Sequence, residues 1–383
     1  MLTSKIFLRN FSIKKKNLKV KKNLISIIKE KNPVLESLSK NYKDNYSKKL
    51  IKTCSKKSKF RLIGMGGSTL GAQAIYDFLK KKIKKEFFFI DNLNSIKKNK
   101  QKKITNLIIS KSGNTIETII NTTILVKKND KNIFITENKK NYLYDLAKKL
   151  KAEVVHHNNY IGGRYSVLSE VGMLPAELMG LNKFKFRQLN SLIKNKNFFN
   201  SMVLNVSSIL HFVKKKKYNS IIINYDEKSE NLFRWYQQLV AESLGKNNKG
   251  ILPVVSLMPK DNHSVMQLYL DGFQNNFFTF FYVNENNSKN LNNKIIFPSH
   301  KFLKNKTISK IIYSKKKASE NIFLKKNIPF RSFEVRGRDE KTLGELFSFF
   351  ILETILLGRV LKLNPYDQPA VELIKEETRK ILI

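Results

Sequence analysis

A chain of 383 residues has room for two domains of moderate size, and its 41% hydrophobic content supplies a core, which excludes a wholly disordered protein. One cysteine, Cys54, excludes an internal disulfide and any cysteine-based zinc cluster and points to a reducing compartment. A net charge of +43 would suit nucleic acid, yet only ten of the 73 Lys+Arg are Arg, the lysines are scattered among asparagines, and no reader motif accompanies them.

Residues 1–57 carry no acid before Glu30 and match no motif. They read as a basic, helical extension rather than a transit peptide, because their cations are mostly Lys, as elsewhere in the chain. From 58 to 195, short apolar runs alternate with helical patterns. Phe60–Met65, Glu86–Asp91, Asn106–Ser110, Asn132–Thr136 and Ala152–His156 predict buried parallel strands. Thr69–Lys82, Thr115–Lys127 and Tyr142–Lys149 predict helices between them. A second α/β unit is expected over 196–362. Its strands fall at Asn219–Tyr225, Ile251–Leu257 and Phe277–Val283, and its helices at Ser229–Ser243 and around His263–Asp271.

The Lys- and Asn-rich segment 284–327 has little periodicity beyond Thr307–Ser314 and predicts a long decorated loop. Leu346–Leu361 is the most apolar long stretch, but it contains Glu353 and Arg359 and predicts a buried helix within Thr342–Leu361, not a membrane span. Residues 363–383 form a closing helical segment, with Pro369 at the first helical position and Asp367 or Gln368 as the cap. The expected fold is α/β: two units with mainly parallel sheets covered by helices on both faces, plus a C-terminal helix. Ligands of such sheets bind beyond the carboxyl ends of the strands.

Two loops at those ends suit phosphate. In FRLIGMGGSTLG, a strand runs into Gly64, Gly66 and Gly67, then Ser68, then a helix. Glycines let the backbone approach an anion, and a helix N-terminus offers free N–H groups. In NLIISKSGNTIET, Ser110, Ser112 and Thr115 offer hydroxyls and Lys111 a cation within six residues. A lone glycine-rich turn is weak evidence of a ligand. Two such loops on one sheet edge favour a phosphate cradle over coincidence.

Glu242 ends the helical pattern Leu232, Phe233, Tyr236, Leu239, Val240, where a carboxylate opposes the helix dipole. The residues alone leave two readings even: a functional base, or an exposed glutamate tolerating a small cost. His156 and His157 are adjacent in a strand, point to opposite faces and form no metal set. These two and His211 read as structural, and Trp235 reads as core. Lys375, beside a Val371, Ile374, Thr378 stripe, reads by pattern alone as a surface lysine.

The two loops resemble the phosphosugar-binding domains of the sugar-isomerase (SIS) type. Four further segments are similar to glucose-6-phosphate isomerases. IGGRYSVLSEVG resembles the family's GGR-[FY]-S signature and places Arg164; QQLVAESLGKNNKG resembles the segment with the catalytic glutamate and places Glu242. KDNHSVMQLYLDG is similar to the segment with the ring-opening histidine, here His263, and NPYDQPAVELIK to the C-terminal signature, with Gln368 and Lys375 in place. The resemblance runs from about Phe60 to Lys375 and implies two SIS-type three-layer αβα subdomains.

It also implies a division of labour. Glu242 is the base, Arg164 the cation at the developing enediolate, and His263 and Lys375 serve ring opening or the carbonyl oxygen. Gly67, Ser68, Ser110, Lys111, Ser112, Thr115 and Gln368 bind substrate, and Glu117 holds the histidine. The chemistry justifies these types: one carboxylate above a planar enediol can move a proton between neighbouring carbons, and a histidine titrates near neutrality. The implied partner is a small sugar phosphate, with no cofactor, metal, nucleic acid or membrane. The implied assembly is a homodimer that shares His263 across its interface; with no apolar span or secretory core in the sequence, the expected location is the cytoplasm. The loop KSGNT departs from the KTFTT form of larger members and approaches the SGxT form of the wider superfamily. This leaves open a bifunctional glucose/mannose phosphate isomerase. A different class, a non-catalytic phosphosugar sensor, would have no need of the proton-moving residues.

Overall fold

The computed structural model describes residues 1–13, 17–93, 104–285 and 288–383. Residues 14–16 of the basic extension, 94–103 of the first unit and 286–287 of the Lys- and Asn-rich segment lie outside the described residues.

In chain order, β1 (Ile6–Arg9) precedes α1 (Leu18–Lys29), α2 (Pro33–Ser37) and α3 (Lys48–Ser55). The first alternation comprises β2 (Lys59–Ile63), α4 (Leu70–Phe78), β3 (Glu86–Ile90), β4 (Thr105–Ile109), α5 (Ile116–Leu125), β5 (Lys131–Glu137), α6 (Tyr142–Lys149) and β6 (Glu153–His157). Helices α7 (Glu170–Leu178), α8 (Lys183–Phe186), α9 (Leu189–Leu192) and α10 (Lys196–Lys214) lead to the second. This comprises β7 (Asn219–Asn224), α11 (Glu230–Leu244), β8 (Leu252–Leu257), α12 (Met266–Asp271), β9 (Asn276–Asn284), α13 (Ile308–Lys325) and β10 (Phe330–Arg336). The chain closes with α14 (Glu340–Val360) and α15 (Pro369–Ile381).

Strands β2–β6 form a parallel sheet in the order β3-β2-β4-β5-β6. Ile63, the last residue of β2, lies opposite Ile90 of β3 on one side and Ile108 of β4 on the other. The chain leaves β2 towards β3 and returns at β4 on the far side, so the turns after β2 and β4 flank a topological switch point. Those turns carry the two glycine-bearing loops.

The second sheet runs β1-β10-β9-β7-β8, parallel except for β1, which is antiparallel to β10. Helix α14 is buried from Thr342 to Gly358, as a helix apolar on all sides must be, and packs against α1, α10 and α11. Helix α11 packs on both α4 of the first unit and β8 of the second, so it lies between them.

Three parts depart from the sequence expectations. The segment 284–327 is not one long loop: it contains α13, 18 residues long. Its pattern is masked because the run Lys315–Lys317 includes a buried lysine, Lys316, whose Nζ lies 3.0 Å from the equally buried Glu320. Strand β10 was hidden by Arg331, a fully buried cation paired with Glu353 of α14 and donating to Asn205 of α10 at 2.8 Å. A buried charge needs such partners to persist, and sequence pattern shows none of them. The extension 1–57 is not purely helical, since it supplies β1 to the second sheet.

Candidate active site

The turn after β2 continues as a short 3-10 turn, Gly66–Ser68, before α4 begins at Leu70. Gly66 has φ +52°, a conformation that glycine takes without strain. Gly67 is pressed against the GGR turn: a Cβ added there would lie 2.3 Å from the Gly163 carbonyl carbon and 2.7 Å from the Arg164 nitrogen. The glycine therefore lets two backbone segments touch, and Ser68 sits beside that contact.

In the turn after β4, the Ser110 and Thr115 hydroxyls hydrogen-bond at 2.9 Å, which ties the strand end to the start of α5. The Lys111 carbonyl accepts from the Glu137 N–H at 3.0 Å and from the Thr136 hydroxyl at 3.1 Å. Burial holds the Lys111 ammonium below the usual lysine range; Glu137 opposes the shift, and the nearby Arg164 charge adds to it. Ser112 is exposed and accepts the Asn114 N–H at 3.3 Å.

Arg164 lies in a 3-10 segment, Gly163–Leu168, and is only 2% exposed. Its Nε donates to Ser243 Oγ at 2.8 Å, and its Nη2 to the carbonyls of Pro365 at 2.7 Å and Asp367 at 3.0 Å. Its Nη1 donates to Glu242 Oε2 at 3.3 Å and to the Gln368 side-chain oxygen. Trp235, read as core, is buried and also donates its indole N–H to the Arg164 carbonyl at 3.1 Å.

Glu242 occupies the last turn of α11 with its side chain 24% exposed. Gln238, one turn earlier on the same face, donates to Glu242 Oε1 at 2.9 Å. Gln238 Nε2 also rests against the first loop, 2.8 Å from where a Gly66 Cβ would stand, and its Oε1 is buried with no partner among the described residues. Sequence reasoning missed Gln238, although its spacing of four from Glu242 was the available signal. A cavity of about 780 Å³ opens beside Glu242, lined also by Lys246, Asn364, Asp367, Gln368 and Val371.

Glu242, Arg164 and Gln368 thus form one hydrogen-bonded set against the first loop, with the Arg164 charge acting on Lys111 of the second. His263, Glu117 and Lys375 stand outside it. His263 ends a 3-10 turn, Lys260–His263, and is exposed. Among the described residues no hydrogen bond or ion pair joins it to Glu117, in the first turn of α5. Lys375 is exposed on α15 and donates to Glu372 at 2.7 Å. Gln368 holds the N-cap position of α15, but its side chain makes no cap and goes to Arg164 instead.

Two mainly parallel sheets, polar loops at a switch point and a carboxylate held beside a guanidinium define an α/β protein whose site suits a small anionic ligand. The comparisons with known proteins make this particular. The family model for phosphoglucose isomerase matches residues 14–251. A glucose-6-phosphate isomerase of Methanocaldococcus jannaschii is 32% identical over 331 residues, 81% of each chain. One of Mycoplasmopsis pulmonis is 31% identical over 381 residues, 91% of this chain and 89% of the relative. This chain belongs to the phosphoglucose isomerase family. The fold agrees: a hypothetical protein of Thermus thermophilus superposes with TM-score 0.82 at 21% identity, over 95% of this chain and 94% of that one. A glucose-6-phosphate isomerase of Chlamydia trachomatis superposes with TM-score 0.74 at 18% identity, over 91% and 77%.

Proposed function

We propose that this chain interconverts glucose 6-phosphate and fructose 6-phosphate, with Glu242 as the base that moves the proton between C2 and C1. The observation that carries the reading is the Glu242–Arg164 pair at 3.3 Å, seated against the first glycine-bearing loop. The phosphate is held by Ser68, Ser110, Lys111, Ser112 and Thr115, with Gly67 at the turn. Glu242 removes the C2 proton of the open aldose, and the electron pair of the broken C–H bond forms the C1–C2 double bond. The former carbonyl oxygen takes the negative charge, which the Arg164 guanidinium stabilises while Gln368 holds that guanidinium. The O2 proton then passes to O1, the O2–H electron pair closes the C2 carbonyl, and the electron pair of the C1–C2 double bond takes the proton back from Glu242 at C1, which leaves the ketose.

Ring opening is assigned to His263, oriented by Glu117, and to Lys375. Two observations support a homodimer in which His263 of the partner subunit completes each site: His263 is exposed within one chain, and the apolar Leu373 and Ile374 of α15 are exposed. The strong positive charge favours arrival of an anionic substrate, an effect that salt weakens. Among the described residues no helix is long and apolar enough to cross a membrane, and the cytoplasm is the proposed location. The test is a coupled assay of fructose 6-phosphate isomerisation in which Glu242→Gln lowers turnover by about 10²–10⁴-fold. The loop Lys111–Thr115 favours a second reading, acceptance of mannose 6-phosphate, which the same assay with that sugar decides.

A further inference from the structure

Helix α15 has no buried residue, so packing within this chain does not fix it. What holds its start is the segment 361–368, gripped from two sides. On one side are Arg164, donating to the carbonyls of Pro365 and Asp367, and Tyr165, donating to the carbonyl of Pro365 at 3.0 Å. On the other is a tight turn that directly follows the helix of Glu242. Asn247 and Asn248 have φ of 53° and 57°, a left-handed pair that Asn tolerates. Lys246 and Lys249 exchange backbone hydrogen bonds of 3.0 and 2.9 Å across it.

The turn sets two lysines side by side. Lys246, with its side chain 11% exposed, forms an ion pair of 2.5 Å with Asp367 and donates to the Asn364 carbonyl. Lys249 reaches the Leu361 carbonyl at 3.5 Å. Asp367 also lines the cavity beside Glu242, so Lys246 neutralises a second carboxylate where an anionic substrate enters.

We propose that the Lys246–Lys249 turn is a latch that fixes the start of α15 beside Glu242, with Lys246 as its positioning residue. This rests on the reading of Glu242 as base and of α15 as the carrier of Lys375. Lys246 has two separable effects: it places Gln368 and α15, which governs kcat, and it cancels the Asp367 charge, which governs KM.

The test compares Lys246→Met, Lys246→Arg and the double variant Lys246→Met/Asp367→Asn, with kcat and KM for fructose 6-phosphate and amide exchange over 361–381. In Lys246→Met, kcat falls by roughly 10–100-fold, the range for losing a contact that holds a functional group in place. Its KM rises, and exchange quickens over 361–381 but not in β2–β6. The double variant recovers KM but not kcat. Lys246→Arg, which keeps the cation, retains most of kcat. Unchanged kcat and KM in Lys246→Met, or exchange that quickens throughout the chain, overturns the latch. Glu242→Gln run alongside separates two failures. Full activity there removes the base and the purpose of the latch with it, whereas an inactive Glu242→Gln beside a fully active Lys246→Met overturns the latch alone.

Discussion

Arg164 and Glu242 stand 78 residues apart in the chain and 3.3 Å apart in the structure, Nη1 to Oε2. The same Nη1 donates to Gln368, a further 126 residues beyond Glu242 in sequence, so one guanidinium gathers Glu242 and the C-terminal segment. The fork geometry of Arg makes this possible, because five donors in one plane can serve several acceptors at once.

Arg164→Lys keeps the charge and loses the fork. The Pro365 carbonyl is left with Tyr165 as its donor and the Asp367 carbonyl loses its Arg164 donor, which loosens the hold on the start of α15. Turnover is expected to fall far more than charge conservation would suggest, with Tm lowered. Thermal melting and kcat measured together check this; a fully active, equally stable Lys variant contradicts the assigned role.

Gly67→Ala tests the contact between the first loop and the GGR turn. The added methyl would meet the Gly163 carbonyl carbon at 2.3 Å, so the two backbones must part. The expected outcome is roughly 1–3 kcal/mol of lost stability, the usual overpacking cost, together with a raised KM for phosphosugars. An alanine variant with wild-type KM would show that the loop's approach to Arg164 is irrelevant to binding.

Much of this was legible in sequence. The strands of the first sheet fall within a residue or two of their predicted ends, because runs such as Leu107–Ile109 are apolar, short and bounded by turn residues. The signatures around Arg164, Glu242 and Gln368 named residues that the fold brings together. Periodicity failed where charge enters the core: Arg331 hid β10, and Lys316 hid α13. It was also silent on what α15 faces, since a Val371, Ile374 stripe shows that a helix has an apolar side but not what covers it.

A subunit-mixing experiment tests the shared histidine. Glu242→Gln and His263→Ala homodimers are each expected to be impaired, while mixed dimers regain part of the activity through one site with both groups intact. Demonstrated subunit exchange without recovery would mean that each site is built within one chain.

The acid limb of stability tests Glu285, which binds Lys81 at 2.8 Å, Lys228 at 2.9 Å and Arg338 at 2.7 Å. Burial raises its pKa, and the three cations more than reverse this, bringing it from 4.5 to about 2. A carboxylate depressed in the folded state stabilises above its unfolded pKa and loses that contribution as pH falls through the folded one. Wild-type Tm is therefore expected to drop between pH 4.5 and 2 by more than that of Glu285→Gln. Superimposable acid limbs would remove Glu285 from the account.

The division of labour between proton transfer and ring opening is tested most directly by exchange of the C2 proton with solvent in a phosphosugar unable to cyclise. Glu242→Gln, which keeps size and hydrogen bonding but not basicity, is expected to lower isomerisation by about 10²–10⁴-fold and to abolish this exchange while phosphosugar binding survives. His263→Ala is expected to keep most of the exchange, because an open substrate needs no ring opening. Equal loss in both variants, or exchange undiminished in Glu242→Gln, contradicts the assignment of Glu242 as the base.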